Sequence, residues 1–134
     1  MKWRTVIFTG CLCLSVLLSG CGKRTDVGKE DTFIYCLNED RTGLTKVAYE
    51  FPGGDASEKA EAVLEELKKP AEEIEYTTPI PKDVEVQGSE LRGSILDVDS
   101  NSAYLEMGAL EEKLVRAAVV QSLVLIDGVN AVSF

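Results

Sequence analysis

Few residues of this chain have types and spacings that could do chemistry. Leu18, Ser19, Gly20 and Cys21 set a thiol directly behind two small side chains at the end of an apolar run, where a processing enzyme could reach the sulfur. Asp97, Asp99 and Asn101 put oxygen ligands at alternate positions, the D-x-D-x-N opening with which a calcium loop wraps a hard cation. Ser102 stands where that loop needs glycine for its bend, and Gly108 where it needs a bidentate glutamate, so residues 99–102 are expected to form a hairpin turn. Glu65, Glu66, Glu72, Glu73 and Glu75 crowd together, and paired carboxylates can do acid–base work. Lys68 and Lys69 sit among them without any cleft signal, so a solvated face is expected. Cys36 lies within the apolar run Phe33 to Leu37 and reads as a small buried hydrophobe, not a reactive thiol.

The chain has no histidine, which excludes a histidine triad and any histidine-ligated zinc or haem. No G-x-S-x-G elbow, phosphate-cradling glycine loop or S-x-x-K arrangement follows Cys21. No catalytic, cofactor-binding or metal-ligating residue is therefore assigned, and the chain is not expected to be an enzyme. With 23 acidic against 14 basic residues the net charge is -9, which disfavours nucleic acid as a partner because phosphate binding needs clustered lysine and arginine. A hydrophobic fraction of 45% with 28% charged residues is ordinary for one globular domain.

Lys2 and Arg4 precede an apolar run from Thr5 to Leu18, the profile of a secretory signal. The run has 14 residues, and a membrane-spanning helix needs about 20. With Leu18-Ser19-Gly20-Cys21 at its end, the segment resembles the lipobox of a bacterial lipoprotein. The resemblance implies cleavage between Gly20 and Cys21, a thioether-linked diacylglycerol on Cys21, and an anchor on the extracytoplasmic face of the cell membrane. Two acyl chains hold a protein stably where one is marginal. Cleavage removes Lys2 and Arg4, taking the net charge from -9 to -11, and removes Cys11 and Cys13, leaving Cys36 as the one unmodified thiol.

The chain thus divides into a signal peptide over 1–20, a lipidated cysteine and flexible tether over 21–31, and a domain over 32–134. Phe33–Leu37 and the alternating stretch through Val47, Tyr49 and Phe51 predict a hairpin around the loop Asn38–Gly43. Asp55 and Glu58 predict a capping box, followed by a helix whose inner face is Ala60, Val63, Leu64 and Leu67 and which ends before Pro70. Thr77–Pro81 reads as a stiff connector into a short strand over Val84–Gln87. Leu91–Val98 and Ala103–Met107 read as strands, and Ala109–Ile126 as a helix with Leu110, Leu114, Ala117, Val124 and Leu125 as its core stripe. Gln121 falls in that stripe and is expected to bond a neighbouring backbone group or to mark a partner face. Gly128 ends the helix, and a last strand runs over Val129–Phe134. The order β-β-α-β-β-β-α-β predicts a small α+β domain, a mixed sheet with two helices packed on it. An apolar strand running to Phe134 leaves two readings: a true edge strand, or a domain truncated at its C-terminal end.

With the elements laid out, residues 33–134 resemble the GerMN family, the sporulation and spore germination domain of bacterial lipoproteins. The resemblance rests on Tyr35 in the first strand, Leu44 opening the second, and Ala62, Leu64 and Leu67 ahead of Pro70. It continues through Thr78, Ile80, Pro81 and Val84, then Leu96, Asp97, Ala103 and Leu105. Val119, Val120, Ser122 and Leu123 fit the second helix, and Gly128, Val129 and Val132 close the domain. Lys69, Lys82 with Asp83, and Ser122 depart from the family pattern at loop and helix positions. The resemblance implies a non-enzymatic extracytoplasmic module, similar to ring-building domains that associate side by side. A structural or assembly role in the envelope, through an envelope protein partner or self-association, is the first expectation. A lipid-anchored binding module for a cell-wall fragment or small solute is the alternative.

Overall fold

The computed structural model describes residues 32–134, which form one compact unit holding every element named below. The first hairpin is β1 (Phe33–Asn38) with β2 (Leu44–Ala48), antiparallel, with Tyr35 opposite Lys46 and Cys36 opposite Thr45. Its loop is held by Asn38, whose side-chain oxygen accepts from the backbone N–H of Thr42 and Gly43 at 2.8 and 3.1 Å. Helix α1 (Ala56–Glu66) starts in the expected capping box: Glu58 N–H donates to the Asp55 carboxylate and Asp55 N–H to the Glu58 carboxylate, each at 2.9 Å. Gly54 ahead of it has φ 118°, a backbone conformation that favours glycine, and a Cβ there would push the Glu58 carboxylate out of the capping box.

The connector caps the other end of α1. Thr78 Oγ1 donates to the Lys69 carbonyl and Ile80 N–H to the Leu67 carbonyl at 3.2 Å, satisfying oxygens that a helix end leaves free. Just before it, β3 (Tyr76–Thr77) adds to the far edge of β1 at Leu37 and Asn38, giving a three-stranded antiparallel sheet ordered β2-β1-β3.

The second half departs from the sequence expectation. Leu91–Val98 is not one strand: β4 (Val86–Arg92) turns back at Gly93-Ser94 into β5 (Ile95–Ser100). Gly93 has φ 64°, and glycine first in a two-residue loop is what a type II′ turn needs. The expected hairpin turn at 99–102 is absent, because Asp99 and Ser100 are still in β5. Ala103–Met107 is not a strand either, since Ser102–Glu106 winds into a 3₁₀ helix leading to α2 (Ala109–Leu123). Val84 is buried ahead of β4 rather than opening a strand. After α2 the chain returns as β6 (Ala131–Ser133), parallel to β5, a pairing that requires the crossover α2 supplies.

The domain is α+β as expected, with two helices, but its strands form two three-stranded sheets, β2-β1-β3 and the mixed sheet β4-β5-β6, in place of one. One core joins them: Ile34 and Cys36 of β1, Val63, Leu64 and Leu67 of α1 and its cap, Leu96 and Val98 of β5, and Val115, Val119 and Leu123 of α2. The α2 face in this core is Val115, Ala118, Val119, Ser122 and Leu123, turned more than a third of the way round the helix from the expected stripe. Leu110, Val124 and Leu125 are exposed instead, and Leu114 and Ala117 are half-buried. Ser122 decides the orientation, because its small side chain lets α2 approach the backbone of β1 and bond it at Tyr35.

Candidate functional site

Gly20 and Cys21, the expected cleavage and lipidation residues, lie outside the described residues. Of the other sequence candidates, Asp97 and Asp99 lie on the outer face of β5, opposite Glu90 and Gly88. Arg92 neutralises part of that face, reaching Glu90 at 2.8 Å and Asp97 at 3.3 Å. Asn101 turns the other way and staples the connector to the end of β5. Its side-chain oxygen accepts from Glu85 N–H at 3.1 Å, while its amide donates to the Asp83 carbonyl at 2.9 Å. The three residues therefore do not converge on a cation. Among the described residues, no three histidine, cysteine, aspartate or glutamate side chains are grouped to hold a metal ion.

Gln121 is exposed, and its neighbour Ser122, fully buried, makes the backbone contact. Because β3 is only two residues long, it covers β1 at Leu37 and leaves the Tyr35 N–H and carbonyl on that edge without a strand partner. Ser122 stands in for the missing strand. Its hydroxyl oxygen accepts from Tyr35 N–H at 2.8 Å, lies 3.4 Å from the Tyr35 carbonyl, and donates to the Ala118 carbonyl at 2.7 Å.

Ile34, Cys36, Thr45 and Val47 share one face of the first hairpin, since Ile34 pairs with Val47 and Cys36 with Thr45. Between that face, the end of α1 and the connector opens a cavity of about 360 Å³ with Glu66, Lys69, Glu72, Glu73, Glu75 and Tyr76 in its wall. Lys69 donates to Glu66 at 2.6 Å across its edge, while Glu65, Glu72, Glu73 and Glu75 are exposed, the solvated face the sequence predicts. Cys36 at its floor is 4% exposed. Burial first, and the nearby Glu66 carboxylate second, push its thiol up to about 11, so at neutral pH it carries its proton and is a poor nucleophile. The sequence could not show this cavity, whose walls come from segments far apart in the chain; the glutamates flanking Pro70 were its one hint.

A second polar cluster sits where the 3₁₀ helix meets α2. The buried Tyr104 hydroxyl donates to Glu112 at 2.8 Å and accepts from Arg116 Nε at 3.3 Å. Phe134 stacks on the Tyr104 ring at 5.7 Å, with the Arg116 guanidinium 5.0 Å from the centre of its own ring. Every charged group in this cluster is already engaged. No helix among the described residues is long and apolar enough to cross a membrane.

Comparison with known proteins finds no match among curated proteins and none among solved structures. It does find a family model, Germane, described as sporulation and spore germination, which matches residues 33–134. That stretch holds both sheets, both helices and the whole described core, and it coincides with the span on which the sequence resembles the GerMN domain. The chain belongs to the Germane family, the sporulation and spore germination domain.

Proposed function

We propose that this chain is a lipoprotein held on the extracytoplasmic face of the cell membrane by Cys21, where its domain serves as a non-catalytic assembly component in sporulation or spore germination. The observation that carries the reading is the family match over residues 33–134, preceded in the same chain by the run Leu18-Ser19-Gly20-Cys21 that resembles a lipobox. Residues 22–31 would then be the tether, reaching at most about 35 Å when extended. A non-catalytic role is supported by how the chemistry-bearing side chains are used: Asn101 as a staple, Asp97 in an ion pair, Cys36 protonated and packed.

Crosslinked envelope fractions are expected to yield a protein partner or a second copy on pull-down, while peptidoglycan and ester hydrolysis assays yield no turnover. Turnover that disappears in Glu66→Gln or Asp97→Asn would overturn the reading. The binding-module alternative is favoured by one observation, the cavity of about 360 Å³ beside Cys36, a size that accepts a small ligand. Saturable binding of a cell-wall fragment that Thr45→Arg abolishes, with no protein partner recovered, would promote it.

A further inference from the structure

Leu110, Leu114, Ala117, Gln121 and Val124 share the side of α2 away from its buried face, with Leu110, Gln121 and Val124 exposed and Leu114 and Ala117 half-buried. Leu110 is 72% exposed and Val124 38%. Their intervals of four, three, four and three are those of the a and d positions of a coiled coil, so they form one seam fitted to a partner helix. The opposite side of α2 is already filled by the domain's own core, which makes α2 apolar on two faces where an ordinary surface helix has one.

We propose that this seam is the surface through which two copies of the chain pair, α2 against α2 and antiparallel. Charge is the first argument for a second copy. From Ala117 to Ile126 the chain has no charged residue, although its net charge is -9, so an antiparallel pair sets the charged first half of each helix against the uncharged second half of the other and keeps the glutamates of the two copies apart. Side-chain size is the second. A two-fold axis between positions 115 and 116 sets the large Leu114 against the small Ala117 of the other copy, and Leu110 against the stem of Gln121, so bulky and small groups interleave. A parallel pair would instead oppose two alanines across a gap and bury two glutamine amides. The antiparallel arrangement also opposes the helix dipoles and closes on itself as a dimer.

The proposal rests on the assembly reading and adds its contact surface. The test is sedimentation equilibrium on residues 32–134, the compact unit that contains the whole described core. A concentration-dependent rise to twice the monomer mass is expected, with the dissociation constant raised at least tenfold by Ala117→Glu and by Gln121→Glu. Gln121 is exposed and outside the core, so its substitution leaves folding intact and any loss of pairing is read at the seam. Mixing Leu114→Cys chains with Ala117→Cys chains should give more mixed disulfide than either alone, fixing the register. A unit that stays monomeric at millimolar concentration, or a dimer untouched by both glutamates, overturns the proposal. Recovery of a different protein by envelope crosslinking would still leave the assembly reading standing.

Discussion

At the scale of single residues, several described side chains that could do chemistry hold the fold instead, Asn101, Ser122 and Cys36 among them. Ser122 is the clearest case, a hydroxyl that replaces a strand by satisfying the edge of β1 at Tyr35. Ser122→Ala removes the acceptor for the part-buried Tyr35 N–H and is expected to cost about 1–3 kcal/mol in a denaturant melt. An unchanged midpoint would show that water replaces the hydroxyl there. Cys36 gives a pH signature. Its folded pKa, about 11, lies above the ordinary 9.0, so the folded state keeps a proton that the unfolded state releases. The stabilisation is therefore full below pH 9 and is lost as pH rises towards 11, by about 3 kcal/mol at most. Denaturant melts from pH 8 to 11 should show wild type losing stability relative to Cys36→Ala across that window. Parallel curves would mean that the thiol titrates normally. The same burial predicts slow labelling of the native thiol, and rapid stoichiometric labelling would contradict it.

At the scale of elements, legibility followed how strongly a local signal excluded its rivals. The first hairpin and α1 could be read because each has an unambiguous boundary: Asn38–Gly43 for the loop, and Asp55 with Glu58 for the helix start. Asp55→Ala should cost about 1 kcal/mol, and the double change with Glu58→Ala should cost less than the sum of the two, since each side chain binds the other's backbone. Additive losses in such a cycle would argue against a reciprocal box. The second hairpin was hidden because Leu91 to Val98 is apolar on both sides of Gly93-Ser94, and the run outweighed a two-residue turn. Ala103–Met107 has the composition of a strand, yet Tyr104 must reach the core while Ala103 packs beside it, which a 3₁₀ turn allows. Helix α2 lies where the sequence puts it but is turned about its axis. Its apolar residues run almost all round, so periodicity offered two faces, and the choice lay with the small Ser122 that bonds β1.

At the scale of the whole molecule, one compact unit of about a hundred residues matches a sporulation and germination family from end to end. Its surface is acidic apart from the uncharged seam on α2, so anionic lipid headgroups would repel it and its charge gives it no hold on a membrane. Under the proposed function Cys21 supplies that hold, with the domain held within a tether's length of the bilayer and free to meet its neighbours there. The direct measurement is metabolic labelling with a fatty-acid probe of cells making wild type or Cys21→Ala, followed by fractionation. A labelled wild type in the membrane fraction is expected, beside a Cys21→Ala chain that carries no label and either remains an uncleaved precursor or is shed. Equal labelling of the two, or an unlabelled wild type, would contradict the lipid anchor.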